Sequence, residues 1–180
     1  MFISYKVDDD IKLTYPLELN AAELARVVSE SNEFLNRWVP WAKLGFTQED
    51  ALVHIQFLNE MFTKNSNFWV FINFQGSIAG GIGLNRFDLD NQATDLGYWL
   101  AENRQGHGIV TRACSAMIEY VFDDLGYNRI ELRTSPDNDR SVAVANRLGF
   151  SREGVLRQAE VINNEYRDLE LYSLLRHEWN

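Results

Sequence analysis

The stretch from Ala93 to Thr134 constrains the fold more than any other part of the chain. Ala93 to Leu100 reads as a strand, and Gln105-Gly106-His107-Gly108 is a glycine turn. From Gly108, residues Val110, Ala113, Cys114, Met117, Ile118 and Val121 recur at spacings of three and four as one helical stripe, with Gly126 as the stop. Arg129 to Thr134 then alternates Ile130 and Leu132 with charged residues, as a strand does. A strand, a helix and a second strand of these lengths make a crossover, so the two strands should run parallel and the connection should be right-handed. Upstream, Phe68 to Phe74, Ser77 to Phe87 and Ala93 to Leu100 are joined by Gln75-Gly76 and by a turn holding Asp88, Asp90 and Asn91. That spacing predicts an antiparallel meander. One parallel pair grafted onto a mostly antiparallel, twisted sheet flanked by helices defines a mixed α+β fold.

The other segments fit this frame. Phe2 to Val7 and Ile11 to Tyr15 read as short strands around Asp8-Asp9-Asp10. Asn20 is a candidate cap for a helix carrying Leu24, Val27 and Val28, and a second helix runs from Thr47 through Ala51, Ile55, Leu58 and Phe62. Between them Pro40 and Gly45 break the pattern around Trp38 and Trp41. A short helix from about Arg140 to Leu148 follows Pro136-Asp137-Asn138, and Phe150 to Val161 with Glu165 to Leu175 form a hairpin through Asn163-Asn164. No repeat or linker divides the 180 residues, which favours one domain over 1–180. With 46% hydrophobic residues there is material for a core, and a chain of this size buries about 70% of its unfolded surface.

Charge and cysteine use narrow the function. The formal net charge of −9 disfavours nucleic acid and anionic lipid as partners and favours substrates bearing positive charge. The one cysteine, Cys114, makes no internal disulfide, falls on the apolar helix stripe, and has no histidine at metal-ligand spacing. No metal is expected. MFISYKVDDD lacks a cationic segment followed by an apolar one, and no apolar run reaches the ~18 residues of a membrane span. These features point to the cytoplasm.

In the glycine turn, backbone can approach a ligand closely, and the unpaired N–H groups of the helix's first turn form an anion site suited to a pyrophosphate. The plain alternative is a strand-to-helix turn. There is no Gly-Lys-Ser/Thr of a phosphate loop, no third glycine of the dinucleotide fingerprint and no G-x-S-x-G elbow. His54, His107 and His177 are scattered, without a carboxylate or thiol at useful spacing for a hydrolase triad.

The loop QGHGIV, the preceding DLGYWL, Asn138-Asp139-Arg140-Ser141 and Asn146-Arg147-Leu148-Gly149-Phe150 together resemble the GNAT superfamily of N-acetyltransferases, and the element order is similar to it over nearly the whole chain. Within it, GYWL, the N-x-x-S segment, EG-x-L-R-Q-A-E and D-L-x-L-Y-S-L-L resemble the branch that acetylates ribosomal proteins on an N-terminal serine or alanine. The resemblance implies acetyl-CoA as cosubstrate, a ribosomal protein N-terminus as acceptor and a homodimer. The family's Gln/Arg-x-x-Gly-x-Gly/Ala pattern falls on Gln105, Gly108 and Val110, and Val110 departs from it. It further implies that the amides of Gln105, Gly106, His107, Gly108, Ile109 and Val110, with Thr111, receive the pyrophosphate. The pantetheine arm would lie between the Ala93–Leu100 and Arg129–Thr134 strands, Asn138 and Asn146 would sit near its thiol end, and an N–H near Trp99 and Leu100 would hold the oxyanion.

Acetyl transfer to an amine needs a base, an oxyanion donor and a proton for the thiolate. Glu160 is the favoured base, through its match to Q-A-E; a solvated strand glutamate is the plain alternative, and Asp95 is the second candidate. Ser141 is the favoured acid, with helix capping as its alternative and Tyr98 and Tyr166 as other donors. Trp38, Trp41, Asn85 and Tyr98 are candidates to line the acceptor cleft, against core packing for the tryptophans. A small cationic amine is an alternative acceptor and would need further acidic residues in the cleft. A non-catalytic acyl-CoA-binding module is the alternative of another class.

Overall fold

The computed structural model describes residues 4–179. In it the meander and the crossover share one sheet. Strands β1 (Ser4–Lys6), β2 (Ile11–Thr14), β3 (Phe68–Phe74), β4 (Ser77–Asp88), β5 (Ala93–Leu100), β6 (Arg129–Thr134), β7 (Ser151–Ile162) and β8 (Glu165–Leu175) are ordered β1-β2-β3-β4-β5-β6-β8-β7. Every pairing is antiparallel except β5 with β6, which is parallel. Phe2, at the expected start of the first strand, lies outside the described residues.

Helices α1 (Ala21–Glu30), α2 (Asn32–Leu35) and α3 (Gln48–Thr63) cover one face of the sheet; α4 (Ile109–Glu119) and α5 (Asp139–Arg147) cover the other. The apolar stripes account for this. Leu24, Val27 and Val28 of α1 pack with Ile55 of α3 on Phe71, Ile78 and Trp99, while Ala113, Cys114, Met117 and Ile118 of α4 pack on Ile82, Leu96, Ile130 and Leu132. Thr47 caps α3: its hydroxyl accepts the Asp50 N–H while the Asp50 carboxylate accepts the Thr47 N–H. Asn20 does not cap α1. Its side-chain oxygen turns back to accept the Leu17 N–H at 3.0 Å, closing a single tight turn ahead of the helix. The last turn of α4 widens into a π-helical turn over Tyr120–Asp124 before Gly126 at φ +71° ends it. Asn163 and Asn164 take φ of +53° and +64°, the left-handed pair a two-residue hairpin turn demands.

Two rows across the sheet explain the glycines of β4. Trp69 stands opposite Gly83, which stands opposite Gly97; Phe71 stands opposite Gly81, which stands opposite Trp99. The two indoles lie over these glycines, and a Cβ on Gly81 or Gly83 would run into the Trp99 or Trp69 ring. Replacing Gly81 by Val is therefore expected to displace the Trp99 indole, costing about 2 kcal/mol and lowering Tm by roughly 6 °C in thermal unfolding.

Candidate functional site

Strands β5 and β6 pair only at Ala93, Thr94 and Asp95 against Arg129, Ile130 and Glu131; beyond that the two strands part. A cleft of about 1010 Å³ fills the gap and passes from one face of the sheet to the other. The last paired position is highly charged. Asp95 and Glu131 are register partners, two acids side by side, which is unfavourable on a shared face. Arg133 bridges to both, with Nε 3.2 Å from Asp95 and Nη2 2.9 Å from Glu131, and Arg129 and Arg86 add their charge to Glu131. On the other side of β5 a register shift in β4 between Leu84 and Phe87 adds twist, and the Thr94 hydroxyl donates to the Arg86 carbonyl at 2.6 Å within it.

At one end of the cleft lies the glycine turn. Gly106 and Gly108 have φ of +83° and +66°, so the chain reverses there and presents the first turn of α4 to the opening. Gln105, Gly106, Gly108, Ile109, Val110 and Thr111 all line the cleft. Arg147 on α5 reaches the Thr111 hydroxyl at 3.0 Å, and Arg112 is fixed by Asp8 at 2.7 Å. With Arg133 and Arg140 this makes four arginines along the cleft wall. Positive φ glycines, free helix N–H groups and arginines at the turn, with two unpaired strand edges leading away, fit a pyrophosphate followed by an extended amide-bearing arm. His107 points elsewhere: its ring stacks on Phe74 and its carbonyl accepts from Arg112. Asn146 is exposed on α5 and does not line the cleft.

Trp99, Leu100, Asn138 and Ser141 line the middle. The cap of α5 is made by Asn138, whose side-chain oxygen accepts the Ser141 N–H at 3.2 Å. The Ser141 hydroxyl is thereby left to the Tyr98 hydroxyl, 2.6 Å away, in a bond that either oxygen can donate. Burial pushes the Tyr98 phenol well above its usual range, so both groups stay protonated at neutral pH.

Glu160 faces the cleft from β7, beside Ile162 and Leu169. No hydrogen bond or ion pair among the described residues engages its carboxylate, and burial raises its pKa, partly offset by Arg167 directly opposite on β8. Asp95 is differently placed. Its Oδ1 accepts from Asn85 at 2.8 Å, its Oδ2 pairs with Arg133, and it does not line the cleft; burial raises its pKa against those two partners. Asn85 also lies outside the cleft, with Trp69 Nε1 donating to its oxygen at 3.0 Å. Trp38 lines the cleft together with Phe34 and Val39. Trp41 is half-buried and packs against the core, stacked on His54 at 4.1 Å between ring centroids and edge-on to Trp99 and Phe46. Burial pushes His54 down to about 4, so it packs as a neutral ring. Phe34, Arg133, Arg147, Ile162 and Leu169 were not singled out from sequence. Ile162 shares Glu160's strand face and was within reach of the two-residue alternation, whereas Arg133 and Arg147 depend on how β6 and α5 are placed. Among the described residues no group of His, Cys, Asp and Glu is arranged to hold a metal ion.

This fold and cleft are those of an acetyltransferase: the GNAT acetyltransferase domain model matches residues 13–151, and the chain belongs to that family. Within the family it is similar to the ribosomal-protein-serine acetyltransferase of Escherichia coli, 30% identical over 169 residues that cover 93% of this chain and 94% of that protein. Two solved structures extend the likeness. The microcin self-immunity acetyltransferase MccE, in complex with acetyl-CoA and AMP, superposes with a TM-score of 0.91 at 31% identity and 97% coverage of both chains. RimL, a ribosomal alpha-N-protein acetyltransferase in complex with coenzyme A, superposes with a TM-score of 0.88 at 27% identity, covering 96% of this chain and 97% of that one.

Gly108 carries a local prediction. An alanine there pays about 1–2 kcal/mol for its left-handed backbone, or tilts the first turn of α4 to avoid it. Gly108→Ala should weaken coenzyme A binding about tenfold by calorimetry.

Proposed function

We propose that this acetyltransferase transfers the acetyl group of acetyl-CoA directly to the N-terminal α-amine of a ribosomal protein. The observation that carries the reading is the pairing of an unengaged, half-buried carboxylate, Glu160, with the hydrogen-bonded hydroxyls of Ser141 and Tyr98 along one cleft. Glu160 takes a proton from the attacking amine, directly or through water, as the N–C bond forms. A backbone N–H near Trp99 and Leu100 holds the carbonyl oxygen while charge develops on it. Ser141, backed by Tyr98, gives a proton to the sulfur as the C–S bond breaks, and the bulk solvent restores both groups. The sheath of Phe34, Trp38, Val39, Ile162 and Leu169 at the Glu160 end suits one amine on a chain terminus.

A polyamine or aminoglycoside fits less well, because Glu102 and Glu160 are the carboxylates lining a cleft that also holds four arginines. A small amine carried on a nucleotide is a second reading. The aromatic rings of Phe34 and Trp38 in the same cleft as Arg133 favour it, as does the similarity to an acetyltransferase solved with AMP. The ribosomal reading carries with it a cytoplasmic site of action and a homodimer; no described helix is long and apolar enough to cross a membrane.

Intact-mass measurement of ribosomal proteins incubated with the enzyme and acetyl-CoA, with fragmentation, should find one acetyl group on one N-terminal residue. Unchanged masses with acetyl-CoA still bound would overturn the ribosomal acceptor and turn the search to nucleotide-linked and small amines. Glu160→Gln should lower kcat by about 100-fold or more with acetyl-CoA affinity kept; unchanged turnover would remove Glu160 as base, and absence of any turnover in the parent enzyme would leave a binding module. The carboxylate is the working form and its pKa is raised, so activity corrected for neutral amine should fall as pH drops through a value above the ordinary ~4.3 of glutamate. Replacing Arg167 by Gln removes the facing positive charge and should move that limb upward.

A further inference from the structure

Glu160 reaches the cleft because the strand that carries it is interrupted. Along β7, Leu156 stands opposite Leu169 and Glu160 opposite Arg167, so Arg157, Gln158 and Ala159 together face the single residue Asp168. Uninterrupted pairing from Leu156 would put Glu160 opposite Glu165, at the mouth of the hairpin and beside a like charge. The two inserted residues shift Glu160 inward by about 7 Å of strand. Its face does not change, because a shift of two preserves the alternation. Excursions of this kind re-aim side chains beside active sites.

Among the described residues one side-chain hydrogen bond reaches the excursion. Gln158 takes φ +52°, a left-handed backbone that costs a side chain of its size about 1 kcal/mol or more. The Asp168 carboxylate accepts the Gln158 N–H at 2.8 Å and fixes the amide in that direction. Asp168 is exposed and does not line the cleft, so it touches neither the donor nor the acceptor space. We propose that Asp168 is a positioning residue: by anchoring the left-handed Gln158 amide it holds the β7 excursion that places the Glu160 carboxylate at depth in the cleft. This rests on the reading of Glu160 as base.

The test is a set of steady-state measurements on Asp168→Ala, Asp168→Asn, Asp168→Ala with Gln158→Gly, and Asp168→Ala with Glu160→Gln, each checked for folding and acetyl-CoA affinity. The acceptor is whichever peptide terminus or amine the parent enzyme acetylates. Displacing a reacting group by an ångström or so costs up to 100-fold, so Asp168→Ala should lower kcat about 30-fold with the KM for acetyl-CoA within about threefold of the parent. Asn keeps an acceptor oxygen and should stay within about threefold of the parent. The Gln158→Gly change lets the backbone adopt the positive φ without an anchor and should restore most of the kcat that Asp168→Ala loses. In the Glu160→Gln background, Asp168→Ala should add no more than about a twofold loss, because the two act through one group. Parent-like kcat in Asp168→Ala, an equal loss with Glu160 already removed, or no rescue by Gln158→Gly each overturns the inference while leaving the base in place. Full turnover in Glu160→Gln alone would instead remove the base reading, and this inference with it.

Discussion

The site depends on β5 and β6 being paired for three residues and no further. A parallel pair buried between helices ordinarily continues to the strand ends, because each broken pair leaves backbone N–H and C=O groups that must find partners elsewhere. Here a ligand in the cleft can supply those partners. An extended ligand bearing its own amides can take the place of the missing strand, and the glycine turn at the start of α4 lies where the anionic end of such a ligand would arrive. Binding and chemistry are thus consequences of one interruption in the sheet.

That interruption is anchored by a polar chain on the α1 and α3 face. Trp69 donates to Asn85, Asn85 to Asp95, and Asp95 pairs with Arg133, which reaches the cleft wall. Each member is satisfied by the next, so the charged pair can be partly buried without an orphaned group. These bonds tie β3, β4, β5 and β6 together next to the point where β5 and β6 diverge. Burial raises the pKa of both carboxylates, but Asp95 is held by Asn85 and Arg133, whereas among the described residues Glu160 makes no hydrogen bond or ion pair and only faces the Arg167 charge. The first and second candidates for the base thus have different surroundings.

The Glu160 end of the cleft is assembled from segments far apart in the chain. Asn163 at the tip of the β7–β8 hairpin donates to Asn36, and Arg167 donates to the Arg37 carbonyl, contacts spanning 127 and 130 residues. They draw the turn after α2 against the hairpin and bring Trp38 to the same cleft as Glu160. Trp41, three residues on, faces inward and supports Trp99 from behind. Two tryptophans with the same sequence surroundings therefore have different roles, decided by which side of one turn each occupies.

By itself the sequence determined the element order, the antiparallel meander, the parallel crossover and the glycine turn before the long helix, because these follow from local periodicity, turn chemistry and chain handedness. It also marked out Gln105, Gly106, Gly108, Ile109, Val110, Thr111, Ser141 and Glu160, all of which line the cleft. Only the tertiary structure decided the length of the β5–β6 pairing, the depth of Glu160 and the separation of Trp38 from Trp41. It also set His107, Asn146, Asn85 and Asp95 outside the cleft lining. The physical reason is common to all of them. Period and propensity report which face of an element a residue occupies, but register, the point where two strands part and the side of a turn that is buried are set by contacts between residues that are distant in the chain.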